Sequence, residues 1–164
     1  MSDRSFTVIR DTREKKPYNL EDPRILDVVT KKLDTGDYSI EGLEKMFAIE
    51  RKASVNELHV NLSKHKIGAF KRELERFQSY RFKYMILDAT YQQLLDFPRN
   101  NGLHFTVVDK IKVRGTFLSA CLIRLQVKYN FNIIFAGNKE NSERIAINIM
   151  KEVLETLDGE ISNQ

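Results

Sequence analysis

Two carboxylates and one ammonium fall close together between residues 36 and 52. Asp37 lies in Gly36-Asp37-Tyr38-Ser39-Ile40, and Glu50 and Lys52 end the run Met46-Phe47-Ala48-Ile49-Glu50-Arg51-Lys52. Groups of these types suit phosphodiester hydrolysis. Two hard oxygen donors can hold Mg²⁺ or Mn²⁺, with water and phosphate oxygens completing an octahedron. A cation there would polarise a phosphate and acidify an attacking water, while a lysine beside it orients that water or neutralises developing charge. A lone Glu-x-Lys in so charged a chain would be ordinary solvated surface. This one closes an apolar run, follows a Gly-Asp, and precedes a stretch rich in Lys and Arg.

The elements that must position these groups read as follows. Tyr38 and Ile40 alternate with polar neighbours, Met46 to Ile49 is an apolar run, and Glu41-Gly42-Leu43-Glu44 supplies a glycine for reversal, so the stretch predicts a β-hairpin. Side chains alternate along a strand, which puts Glu50 and Lys52 on one face and Arg51 on the other. The hairpin partner can then bring Asp37 near Glu50. Upstream, Phe6 to Asp11 predicts a first strand, with Arg13 and Glu14 in a loop that Pro17 keeps from pairing. Downstream, Ser54 with Glu57 three residues on predicts a capped helix, whose inner face carries Val55, Leu58 and Leu62. An interruption at Asn61 to Gly68 precedes a further helix with Phe70, Leu74 and Phe77 at helical spacing. Tyr84 to Leu87 predicts a central strand covered on both faces, ending in Asp88.

Gly36-Asp37-Tyr38 followed by Ile49-Glu50-Arg51-Lys52, with Asp11-Thr12-Arg13-Glu14 upstream and Tyr84-Met85-Ile86-Leu87-Asp88 downstream, resembles the signature of the XPF family of structure-specific DNA endonucleases. The order holds over about residues 6–155. The resemblance implies an α/β fold of the restriction-endonuclease-like type, a central mixed β-sheet flanked by helices. It implies a Mg²⁺- or Mn²⁺-dependent endonuclease cutting branched or junction DNA in repair or recombination. It places Asp37, Glu50, Asp11 and Glu14 at the metal, and Asp37, Glu50, Lys52 and Arg51 in the catalytic group. Two departures are plain. Asn56 stands where the family usually has Asp, four residues after the lysine, with Glu57 beside it, and the helix-hairpin-helix module that often follows the nuclease domain is absent. The family also pairs active chains with degenerate ones, so a non-catalytic DNA-binding subunit is the alternative. Intact Asp37, Glu50 and Lys52 favour the enzyme; Asn56 favours the subunit.

At 164 residues the chain predicts one nuclease domain, 1–157, and a polar tail, 158–164. Met1 to Ser5 precedes no long apolar run, so neither a signal peptide nor a membrane span is expected. The lone Cys121 cannot form an internal disulfide, which fits an intracellular protein, cytoplasmic if bacterial or phage-encoded. Three histidines at no zinc spacing and seven scattered glycines exclude a zinc motif and a phosphate loop, so no nucleotide cofactor is expected. A net charge of +4 permits a nucleic-acid partner. The cationic positions expected on DNA phosphates are Lys64, Lys66, Lys71, Arg72 and Arg76, then Lys110, Lys112 and Arg114.

Outside the site, Asp22-Pro23 predicts a helix start, with Ile25, Leu26, Val29 and Leu33 as its apolar stripe. Leu94 to Phe97 predicts a short helix closed by Pro98, and His104 to Val108 a strand. Thr116 is a candidate cap for a helix burying Leu118, Leu122, Leu125 and Tyr129. Phe131 to Ala136 predicts the last strand, and 140–157 a closing helix followed by a frayed tail. The apolar residues of that helix spread over roughly 200° of its circumference, wider than one sheet face covers. Ile147, Met150 and Leu154 are expected to form an exposed ridge, joined by Phe117 and Ile123, that makes the chain a homodimer; a partner protein is the other candidate for a second DNA contact.

Overall fold

The computed structural model describes residues 4–162. The strands are β1 (Phe6–Arg10), β2 (Ile25–Thr30), β3 (Tyr38–Ile40), β4 (Phe47–Lys52), β5 (Phe82–Leu87) and β6 (Asn132–Phe135). The helices are α1 (Val55–Asn61), α2 (Ile67–Phe77), α3 (Tyr91–Asp96), α4 (Phe105–Val108), α5 (Gly115–Tyr129) and α6 (Lys139–Ser162). One sheet holds the strands in the order β2-β1-β3-β4-β5-β6. β3 runs antiparallel to both β1 and β4, whereas β1 with β2, β4 with β5 and β5 with β6 are parallel. The expected mixed sheet flanked by helices is present. Among the described residues no helix is long and apolar enough to cross a membrane.

Alternation along β4 sorts the core into two. Ala48 joins Met85 and Leu87 against Phe70, Leu74 and Phe77 of α2 and Leu118 and Leu122 of α5. Phe47 and Ile49 join Ile86, Val8 and Tyr38 against Ala146, Met150 and Val153 of α6. The α1–α2 side and the α6 side of the sheet are therefore separate, and the next residues of β4 inherit that division.

Four local expectations are corrected. Residues 25–30 form β2, a parallel edge strand on β1, rather than a helix. The i, i+1, i+4 apolar spacing fitted a helical stripe, yet Val28-Val29-Thr30 is a β-branched run, and the open edge of β1 supplied the hydrogen bonds. Leu26 is 70% exposed there, as an edge position tolerates. His104 to Val108 is not a strand: His104 caps the single turn of α4, its ring accepting the Thr106 N–H, and β6 already ends the sheet. Arg114, not Thr116, holds the capping position of α5, with no side-chain cap. Gly115 opens that helix because a Cβ there would lie 1.9 Å from the Leu94 carbonyl oxygen. Finally, α6 continues through Ser162, held by Arg4 on Asp158 at 2.7 Å and Arg81 on Glu160; residues 163 and 164 of the expected tail lie outside the described residues.

The expected apolar ridge is also absent. Ile147, Met150 and Leu154 are buried in the α6-side core. The sheet rotates α6 so that Ile145, Ile149 and Leu157 are its half-buried apolar residues, and Ile145 and Ile149 line a groove with Phe82 and Tyr84. Phe117 and Ile123 are exposed as expected, but they sit on α5, which packs on the other face of the sheet.

Candidate active site

The end of β1, the start of β3 and the end of β4, neighbouring interior strands, meet at one end of the sheet. Gly36 sets the approach: its φ is +80°, and a Cβ would lie 3.0 Å from both Ala48 Cβ and the Ile49 carbonyl oxygen. Only glycine turns the chain into β3 that close to β4. Asp37 follows, its N–H donating to the Ile49 carbonyl at 2.7 Å and its own carbonyl accepting from the Asp11 N–H at 2.8 Å. Its Oδ2 accepts the Arg51 N–H at 2.7 Å, which fixes the carboxylate at the end of β4.

Glu50 and Lys52 share the α1–α2 face, as alternation requires. Lys52 Nζ donates to Glu50 Oε1 at 2.6 Å and lies 5.1 Å from the centre of the Phe70 ring. Both residues are buried, while Glu50 Oε2 has no N–H or hydroxyl donor among the described residues. Beside them stands Glu73 of α2, half-buried and close enough for Glu50 to raise its pKa. Glu73 and Glu75 are the two acids of α2, beside Lys71, Arg72 and Arg76. The signal for Glu73 was position: it lies three residues from Phe70 and four from Phe77, on the inward face.

Arg51 turns to the other face. It donates to Asp88 Oδ2 at 2.6 and 3.1 Å and to the Lys16 carbonyl, has Glu14 at 3.6 Å, and lies over the Tyr18 ring. It binds the strand end to the loop after β1. Asp11 has both side-chain oxygens occupied. Its Oδ1 accepts from Arg13 N and Nε, and its Oδ2 from Arg13 Nη2 and the Leu33 N–H. Glu14 instead reaches the cleft of about 410 Å³ that Arg13, Asp37, Arg51, Ser54 and Glu57 also line. Asn56 is half-buried on α1, and Glu57 is occupied in capping, accepting the Ala53 N–H at 2.9 Å.

The electrostatics follow from this packing. Burial, and then Glu50 alongside, push the Asp37 carboxyl well above its ordinary range. Burial and Glu50 also raise Glu73, to about 8. Burial works against the Lys52 charge, but Glu50 and Glu73 outweigh it and hold the ammonium protonated above the usual lysine range. For Asp11, burial is outweighed by the Arg13 side chain and the Leu33 and Arg13 amides, which hold it below 3.8.

A family model described as the ERCC4 domain matches residues 10–149. This chain belongs to the ERCC4-domain family. Its fold matches the structure of XPF from Aeropyrum pernix with a TM-score of 0.66 at 18% identity, covering 96% of this chain and 70% of that one. It matches the same protein in complex with DNA equally well, covering 92% of this chain and 66% of that one. No curated protein matches it. The six-stranded mixed sheet of this ERCC4 domain thus has the restriction-endonuclease-like fold, similar to that of XPF from Aeropyrum pernix.

The donor set of the ERCC4 domain fits a hard divalent cation. Two carboxylates adjoin: Glu50, buried with an orphaned oxygen, and Asp37, whose carboxyl desolvation and then Glu50 push well above its ordinary range. Among the described residues no three acid, histidine or cysteine side chains close into a cage. Mg²⁺ and Mn²⁺ take one or two carboxylates and fill the remaining positions with water and phosphate.

Of the expected DNA-contacting residues, Lys64, Lys66, Lys71 and Arg72 are exposed on or just before α2. Arg76 is exposed but its Nε donates to the Asp34 carbonyl at 3.0 Å. Lys112 and Arg114 line a separate groove with Asp96 and Arg99, and Lys110 lies exposed in the same loop.

Without added cation, the stability of the domain should fall as pH rises from about 4.5 to about 8. The unfolded chain releases the Glu73 proton near the ordinary 4.5, whereas the folded chain keeps it to about 8. Between those values unfolding releases a proton, so rising pH favours it. Urea denaturation across that window is the measurement, and a midpoint that climbs throughout would contradict the packing of Glu73 on Glu50.

Proposed function

We propose that this ERCC4 domain is a divalent-cation-dependent DNA endonuclease acting on branched or junction DNA. The observation that carries the proposal is the Asp37–Glu50–Lys52 cluster at one end of the central strands, with Glu50 and Lys52 buried and Glu50 Oε2 unsatisfied. The fold of XPF, solved both alone and in complex with DNA, supports the same reading.

Asp37 and Glu50 would hold Mg²⁺ or Mn²⁺, with Glu14 at the mouth of the cleft. The ion supplies charge stabilisation to the phosphate and acidifies the attacking water. Lys52, held as an ammonium by Glu50 and Glu73 against the cost of burial, is a hydrogen-bond donor and a fixed positive charge. It can hydrogen-bond an oxygen on which negative charge develops. Arg51 clamps the loop carrying Glu14 to the end of β5 through Asp88, and the Asp11–Arg13 clasp shapes the same loop from its other end. Both act as positioning groups.

Incubation with labelled flap, splayed-arm, four-way-junction and nicked duplex DNA in Mg²⁺ tests the activity. Cleavage of at least one is expected. Tight binding with no cut on any substrate would favour the non-catalytic subunit that Asn56 suggests.

The basic face of α2 is proposed to hold DNA phosphates. Replacing Lys71, Arg72 and Arg76 together by alanine should weaken binding alike on all sequences and flatten the salt dependence by up to about three units of slope. An unchanged slope would transfer the role to Lys110, Lys112 and Arg114.

A homodimer is proposed as well, built on the groove of Phe82, Tyr84, Ile145 and Ile149, the half-buried apolar surface that α6 leaves beside the sheet. Sedimentation at micromolar concentration should show twice the mass of one chain, and Ile149→Glu should return it to one. A wild-type monomer would end this part of the proposal.

A further inference from the structure

The segment that joins α3 to α5 lines a groove of about 590 Å³. Leu103, Ile111 and Val113 pack that segment against the core. Arg99, Lys112 and Arg114 line the groove, and Lys110 lies in the same loop. All four are exposed, and among the described residues none of these side chains has a hydrogen bond or an ion pair. They outnumber the two acids of the groove, Asp96 and Asp109. Asp96 is already occupied, its oxygens accepting from the Gln92 and Asn100 amides at 2.8 and 3.1 Å. Beside these charges Phe105 is 69% exposed, with the His104 ring 4.4 Å from its own. Phe105 and Val108 lie three residues apart on the single turn of α4 and so share a side, and Val108 lines the groove.

Free cations around an open aromatic ring complement single-stranded nucleic acid, whose phosphates meet the charges and whose unpaired bases have faces free to stack. A duplex offers the phosphates, but its bases already stack on one another. We propose that this groove is a second DNA site, holding the unpaired strand of a branched substrate with Phe105 against a base and Arg99, Lys112 and Arg114 on its phosphates. The proposal rests on the DNA-nuclease reading above and names the part of the substrate that the basic face of α2 does not hold. The position of the groove suits that part. Ser54 and Glu57 of the α1 end line the active cleft, whereas His59 of the same helix packs at 5.1 Å on Phe97, which lines the groove. Glu57 and His59 face opposite sides of α1, so cleft and groove are separated by about one helix diameter, roughly 10–12 Å. A strand with its branch point at the cleft covers that distance in about three or four nucleotides.

Fluorescence anisotropy of the full chain without divalent cation, on labelled oligothymidylate and on a blunt duplex, is the test. Phe105→Ala should weaken oligothymidylate binding by roughly 5–150-fold, the loss of one stacked base, and change duplex binding by less than about two-fold. Phe105→Trp should keep the wild-type affinity. Replacing Lys112 and Arg114 together by alanine should flatten the salt dependence on the single strand by about 1.4 units of slope, about 0.7 for each phosphate. All three side chains are exposed, so each variant should keep the wild-type circular dichroism spectrum. Wild-type oligothymidylate affinity in Phe105→Ala, or an equal loss on the duplex, would overturn the proposal. So would a Phe105→Trp as weak as Phe105→Ala, an unchanged slope, or no binding of oligothymidylate by the wild type. Cleavage of nicked duplex in Mg²⁺ decides the nuclease reading separately, because that substrate has no unpaired arm.

Discussion

Glu50→Gln should lower cleavage of branched DNA by several orders of magnitude, while DNA binding stays within a few-fold of wild type. The amide conserves size and still accepts from Lys52, so the buried packing of β4 survives. What goes is the negative charge that a divalent cation needs beside Asp37, and with it the ion's stabilisation of the phosphate. Burial sharpens the effect, because no water can take the place of the lost ligand on an oxygen without solvent access. Single-turnover cleavage beside a binding titration separates the two quantities. Full turnover in Glu50→Gln would remove Glu50 from the site.

Lys52→Met should cut turnover by about 10²–10³-fold, the usual loss on removing one donor to developing charge. Methionine fills the space over Phe70, so the loss should fall on turnover and leave Mn²⁺ affinity equal to wild type or stronger, since a neighbouring positive charge is gone. Arg51→Met should behave differently. Removing one partner of a buried ion pair leaves Asp88 uncompensated and costs roughly 3–5 kcal/mol of stability, read as a lower urea midpoint. Equal effects of the two substitutions on turnover and on stability would mean that the division of β4 into two faces has no functional meaning.

That division was legible in the sequence, and so was the cluster itself. Gly36-Asp37 and Glu50-Arg51-Lys52 belong to one hairpin with a short reversal, and the two-residue period of a strand dictates which side chains share a face. The central strand ending in Asp88 and the inner stripes of α2 and α5 were legible for the same reason: periodicity is a local property.

Tertiary structure alone decided the rest. Residues 25–30 carry apolar spacing that serves a helix or an edge strand, and the free edge of β1 settled it. The broad apolar arc of α6 did not reveal which part of it meets the sheet; packing on the sheet buried Ile147, Met150 and Leu154 and left Ile145 and Ile149 at the groove. Asp11 lies in line with the acids of the site, yet the Leu33 amide, 22 residues away, and Arg13 occupy both its oxygens. Glu73 reads as one acid among the lysines and arginines of α2 until that helix folds down on β4. Spacing along a chain specifies what a strand or helix presents on each side; what it meets there depends on contacts between residues far apart in sequence, which no local pattern encodes.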